Sequence, residues 1–368
     1  MKDIRRLTLE EKVGQLFFLG FQGLAPDTET LSLIERIRPG GFLFLQRNID
    51  SLDQVYSLTR HFQEFKGMPN LLAIDHEGGR VDRLKHIFAP IPSVGELAEL
   101  GTAPLRAGAR IIAAELEAAG LNLNFAPVLD LRNAGAIGAD RTLSSSPVEV
   151  ARLAVAFIDE LSKKNIIACV KHFPGMGSAS VDPHFALPRI DRLKRQLQQE
   201  DILPFLNLID DVPMIMLSHG HYPGLGDEKP VPASLSLKVA DGLLRKKLGF
   251  QGVIITADLT MGAISSIGLT PELFVRAFEA GNDMLLFSQT TPLVEKGFKA
   301  ILSSVRGSEV LRARLDESVS RILTLKSRIK YTPVRYRAHL KTRINRQIEK
   351  LRSATIQTVE AEETSPVL

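Results

Sequence analysis

The chain of 368 residues has one cysteine, Cys169, so no disulfide can form within it. That count points to a reducing compartment. Cys169 lies in the apolar run NIIACVKHF and reads as a buried, inert thiol. No apolar stretch approaches the ~18 residues that would span a bilayer. The opening segment, MKDIRRLTLEEKVGQLFF, has charges but neither an apolar h-region nor a small-residue cleavage site. A cytoplasmic protein with no stable membrane insertion is therefore expected. Metal and cofactor signatures are missing too. His172, His184, His219 and His221 lack the tight spacing of a ligand set such as H-E-x-x-H, and neither a phosphate loop nor a dinucleotide fingerprint occurs.

Most of the chain also lacks an excess of basic charge, although its pI is about 9.1. Residues 331–352 carry seven Lys or Arg (Arg335, Arg337, Lys341, Arg343, Arg346, Lys350, Arg352) against one acid, Glu349. That segment is +6 and the whole chain +4, which leaves −2 for the remainder. That balance makes the case for a nucleic-acid-binding core weak, and no nucleic-acid partner is expected. Leu340, Ile344, Ile348 and Leu351 share one face of the basic segment, as in an amphipathic helix that packs on the rest. The division expected is a main domain over 1–330, a basic helical extension over 331–356 and a disordered tail over 357–368.

Eight near-continuously apolar runs punctuate the main domain, as strands buried on both faces require. They fall at 15–21, 40–46, 70–75, 123–130, 166–173, 213–219, 252–258 and 283–288. Helical periodicity fills the gaps, for example at 50–65, 104–120, 148–164, 194–209 and 236–247. Thr8 and Glu11 form a capping-box pattern ahead of the first helix. The alternation predicts a TIM-type (β/α)8 barrel of α/β class in a single domain. Polar residues gather at the strand ends: Asp75, Asp130, Lys171, His172, His219 and Asp258. In such a barrel those ends carry the active site.

The stretch KHFPGMGSASVDPHFALP, 171–188, is the richest. Asp182 and His184 are two apart, and Pro183 biases Asp182 towards extended backbone. Side chains at i and i+2 then point the same way, so the carboxylate can orient the imidazole for acid/base work. An isolated D-x-H would read as an ordinary surface loop.

These surroundings resemble glycoside hydrolase family 3, specifically its single-domain β-N-acetylhexosaminidase branch. LTLEEKVGQLF, AIDHEGGRVDRL (73–84), NFAPVLDL (124–131), IGADRTLSSSP (137–147), PASLS (232–236) and GFQGVIIT (249–256) agree with it in order, over about residues 5–330. The resemblance implies retaining hydrolysis of terminal β-linked N-acetylglucosamine, from peptidoglycan-derived muropeptides in the cytoplasm, with no cofactor. It makes His184 the proton donor and then the base, tuned by Asp182. It makes Asp75, Arg83, Arg141, Lys171 and His172 the substrate contacts. Glu77, Arg80 and Asp82 read as structural pairing around the Gly78-Gly79 turn.

The sequence departs from the family pattern at three places. Met176 stands where the second His of K-H-F-P-G-H-G is usual, and Pro183 stands where D-S-H has Ser. Ala257 occupies the position of the nucleophilic Asp, with Asp258 one residue on as the displaced candidate. Alternation along a strand would turn Asp258 away from the mouth unless a bulge or slip intervenes. Ala257 fits an inactive branch, an engineered substitution, or a shifted strand end with Asp258 as nucleophile. Three functions are consistent with this pattern: a hydrolase, a catalytically silent sugar-binding homologue, or transfer to phosphate in place of water.

Overall fold

A computed structural model describes residues 4–65, 69–133, 138–330 and 338–363. Eight parallel strands run in sequence order around a barrel: β1 (Phe17–Gly20), β2 (Gly41–Phe44), β3 (Leu71–Ile74), β4 (Leu123–Asn124), β5 (Ile167–Phe173), β6 (Met214–Leu217), β7 (Val253–Thr256) and β8 (Leu285–Phe287). β8 pairs with β1, and a bridge between Ile255 and Met284 closes the ring at β7. Every expected strand forms inside its apolar run. β4 is the most curtailed. Pro127 has no N–H to donate, and beyond Asn124 the backbone pairing with β5 is reduced to the Val128–Lys171 bridge, in which the Leu129 N–H donates to the Lys171 carbonyl and the Lys171 N–H to the Pro127 carbonyl.

Alternation along the strands sorts the core into two clusters. Leu71, Ala73, Ile167, Cys169, Met214, Met216, Val253 and Ile255 belong to one, which includes Phe18 reaching Phe125 across the barrel at 5.5 Å between ring centroids. Their neighbours Leu72, Ile74, Ala168, Val170, Ile215, Leu217 and Ile254 belong to the other, packed under the helices. With a period of two, the inward rows continue to Asp75, Lys171 and Ala257. The strand-end chemistry is thus fixed by where each apolar row stops.

Helices Leu52–Gln63, Thr102–Ala118, Pro147–Ser162 and Lys238–Lys247 lie within a few residues of their expected spans. The capping box forms, with Glu11 N–H donating to Thr8 Oγ1 at 3.2 Å and Thr8 N–H to Glu11 Oε2 at 2.9 Å. The helix expected over 194–209 is broken into Lys194–Gln196, a wide turn at Leu197–Asp201, and Leu203–Asn207. Pro204 cannot donate the hydrogen bond a continuous helix needs there.

The basic extension is helical over Ala338–Glu363, past residue 357 where disorder was expected. Residues 331–337 and 364–368 lie outside the described ones. Ile344, Ile348 and Leu351 are buried against the helix Thr102–Ala118, and Asn345 Oδ1 accepts from the Ala89 N–H at 3.0 Å. Each buried aliphatic side chain contributes about 1.5–3 kcal/mol, enough to hold the helix on the barrel while its cations face solvent. Among the described residues, no helix is long and apolar enough to cross a membrane.

Candidate active site

The strand ends surround a cavity of about 400 Å³. All the residues expected to act on substrate line it: Asp75, Arg83, Arg141, Lys171, His172, Asp182, His184 and Asp258, with Ala257 among them.

Its floor is ionic. Lys171 Nζ lies 2.6 Å from Asp75 Oδ1 and 2.6 Å from Glu77 Oε1, and the Lys171 and Glu77 side chains are each 1% exposed. Arg141 grips Glu77 with both arms, Nε to Oε2 and Nη2 to Oε1, each at 2.7 Å. Burial alone would raise the Glu77 carboxyl, but Lys171 and Arg141 outweigh it and hold the group well below the usual carboxylate range. The arrangement presents two cations to a ligand in fixed directions. Glu77 is therefore the hub of the floor and does not pair within its own turn. Arg80 pairs with Asp140 across the loops, and Asp82 accepts from the Leu84 and Ile91 N–H groups nearby.

Arg83 also faces the cavity. Its Nε is buried without a hydrogen-bond partner among the described residues, which leaves a donor for a ligand. Its backbone N–H donates to His76 Nδ1 at 3.2 Å, so the His76 proton sits on Nε2, 2.7 Å from Glu115 Oε2. That buried pair braces the loop after β3.

His172 is oriented by Asp130. Nδ1 stands 2.7 Å from Asp130 Oδ2, while Oδ1 accepts from the N–H groups of His172 and Met176. Burial would raise the Asp130 carboxyl, yet His172 and these donors hold it below its ordinary value. Met176 lines the cavity on the same loop.

The Asp182–His184 pair forms at the rim. His184 Nδ1 is 2.7 Å from Asp182 Oδ1, which also accepts the His184 N–H at 2.9 Å. The imidazole side chain is 67% exposed, so Nε2 is free for a substrate oxygen. The loop is not loose: Gly262 N–H donates to the His184 carbonyl and Ala263 N–H to that of Pro183, at 3.1 and 3.0 Å. Position 262 must be glycine for this approach, because a Cβ there would stand 2.4 Å from the His184 oxygen.

At β7 the two candidate positions part company. The strand ends at Thr256, and with it the strict alternation, so Asp258 joins Ala257 in the cavity wall in place of facing the helix layer. Asp258 Oδ1 accepts from Thr260 N–H (2.9 Å), Thr260 Oγ1 (2.8 Å) and Ser288 N–H (3.0 Å). His219 secures the same residue from behind, with Nε2–H donating to the Asp258 carbonyl at 2.8 Å and Nδ1 accepting from Ser234 at 2.7 Å. Burial pushes the His219 imidazole down to about 4, so it stays neutral. Asp130, Glu77 and His219 are site residues that sequence reasoning assigned no part in holding substrate. Asp130 and His219 at least carry the signal of a strand-end position.

The chain matches the glycosyl hydrolase family 3 N-terminal domain over residues 8–325. It belongs to that family. Curated relatives named beta-hexosaminidase include one from Idiomarina loihiensis, 37% identical over 67% of this chain and 75% of its own length. Another, from Tolumonas auensis, is 35% identical over 80% and 88%. Among solved structures, a family 3 β-N-acetylglucosaminidase from Paenibacillus superposes with a TM-score of 0.85 at 33% identity, covering 94% of this chain and 68% of that one. A β-N-acetylhexosaminidase from Beutenbergia cavernae gives 0.79 at 27%, covering 87% and 99%. The family 3 assignment makes this chain a glycosidase, and its (β/α)8 barrel is theirs.

Proposed function

We propose that this chain releases terminal β-linked N-acetylglucosamine with retention of configuration, from muropeptide-type saccharides in the cytoplasm, with His184 as acid and base. The observation that carries the reading is the dyad. A carboxylate fixed on Nδ1 leaves Nε2 open beside a cavity floored by Asp75, Lys171 and Arg141, which suits vicinal sugar hydroxyls. Arg83 and His172 complete the sugar-binding set. A second reading is favoured by the methyl group of Ala257: a sugar-binding homologue that has lost turnover. The test is release of a chromophore from an aryl β-N-acetylglucosaminide, alongside calorimetric binding of N-acetylglucosamine. Turnover by the natural chain that disappears in His184→Ala supports the hydrolase. Binding without turnover, with activity gained in Ala257→Asp, establishes the second reading. Absence of both binding and turnover overturns the choice of sugar.

A further inference from the structure

We propose that the nucleophile in this site is the substrate's own 2-acetamido oxygen, with Asp258 accepting the amide N–H; the proposal rests on the N-acetylhexosaminide reading above. The inward row of β7 ends in a methyl group, Ala257, where a carboxylate would have to stand to attack C1 from within the barrel. The other cavity carboxylates are engaged. Asp75 is held by Lys171, Asp130 by His172, and Asp182 by His184.

Asp258 is built as a fixed acceptor. Two backbone N–H groups and one hydroxyl converge on Oδ1. An oxygen whose lone pairs are already taken by three donors is a weak attacking group. Among the described residues Oδ2 has one hydrogen-bond partner, Thr260 Oγ1 at 2.8 Å, and that hydroxyl has a single proton to share between both oxygens. Oδ2 therefore keeps a lone pair for an N–H donor. Ala257, Met216, Met261 and Leu286, which pack in one apolar cluster, line the same cavity and give it apolar wall that an acetyl methyl would fill. That wall and the acceptor suit the two ends of an acetamide.

The chemistry closes without an enzyme nucleophile. The acetamido oxygen bonds to C1 as the C1–aglycone bond breaks, and His184 in its imidazolium form gives the Nε2 proton to the departing oxygen. Asp258 Oδ2 takes the hydrogen bond of the cationic N–H in the bicyclic oxazolinium intermediate. Water then attacks C1, the C1–acetamido bond breaks, and the water's proton returns to His184. Two inversions at C1 give retention, as in other substrate-assisted glycosidases. An oxygen held on the reacting ring has an effective molarity on the order of 10⁵ M or more, which offsets its weakness as a nucleophile.

The experiment compares aryl β-glycosides bearing 2-acetamido, 2-trifluoroacetamido and 2-hydroxyl groups on the natural full-length chain, with calorimetric binding of N-acetylglucosamine in parallel. The expected result is a loss of at least about tenfold in kcat/KM from acetamido to trifluoroacetamido, and no turnover of the 2-hydroxyl sugar. Asp258→Asn is expected to lose kcat with little change in sugar affinity. Equal rates for the two amides, or a sugar covalently attached to Asp258 in quenched enzyme, would overturn the proposal and leave the hydrolase reading standing. Binding with no turnover of any glycoside would overturn both in favour of a binding protein.

Discussion

Replacing Glu77 by Gln tests whether the cavity floor depends on one carboxylate. Glu77 is 1% exposed and is the acceptor for both Lys171 and Arg141. Removing the charge from a buried, hydrogen-bonded pair costs about 3–5 kcal/mol, because the partner is left uncompensated. Here the lower end applies. Lys171 keeps Asp75 at 2.6 Å, and the Arg141 side chain is 22% exposed and can draw on water. At roughly 2 °C per kcal/mol for a chain of this size, thermal melting followed by circular dichroism is expected about 6 °C lower. Acid should narrow the gap. Glu77 titrates below its unfolded value, so its contribution is complete above the ordinary carboxylate range and is lost as pH falls through and below it. The double replacement Glu77→Gln with Arg141→Met should cost less than the two single ones together, because they share one interaction. N-acetylglucosamine affinity should fall with Glu77→Gln, since Arg141 loses its bidentate anchor. A melting temperature within about 1 °C of the parent's, with unchanged sugar affinity, would refute the assignment of Glu77 as hub.

Two further outcomes follow from the site's supports. In Gly262→Ala the new Cβ meets the His184 carbonyl at 2.4 Å and the Phe185 backbone at 2.7 Å, so the dyad loop must lift. Faster proteolysis within 178–190 and a kcat loss of up to about 100-fold at near-constant sugar affinity are expected; an unchanged cleavage rate and kcat would show that the contact is incidental. His219, with its pKa pushed down by burial to about 4, should remain neutral at pH 5.5 in an imidazole NMR titration. Its folded value lies below the unfolded ~6.5, so its contribution to stability is complete above that pH and declines as pH drops towards 4. A midpoint near 6.5 would remove the argument that it acts as a fixed donor to the Asp258 carbonyl.

Legibility in the sequence followed the range of the interaction. The barrel is written in short apolar runs, and alternation carries each row to its terminal residue, which is how Asp75, Lys171 and Ala257 can be placed from spacing. The Asp182–His184 pair is legible because its members are only two residues apart, although a turn closes it where extended backbone was expected: the Asp182 carbonyl accepts from the Phe185 and Ala186 N–H groups, and Asp182 Oδ1 from the His184 N–H. Glu77 was not, because its meaning lies in Arg141, 64 positions away, and in Lys171, which belongs to a different strand. Asp258 was legible as a strand-end candidate, but the direction of its side chain was not, since alternation predicts that direction only while the strand lasts, and β7 stops at Thr256. These two misses bear on one another. A buried floor of Lys171, Arg141 and Glu77 carries a desolvation cost that an apolar barrel end would not incur. Nothing in the packing of the barrel requires it, because the apolar clusters are already complete beneath it. In the function proposed above, the floor, the oriented His172 and the docked dyad are the parts that hold a sugar and protonate its leaving group. In the mechanism proposed above, Ala257 removes from that set only the covalent step. On that proposal binding and turnover are separable in this chain, and the substrate's 2-acetamido group is what reconnects them.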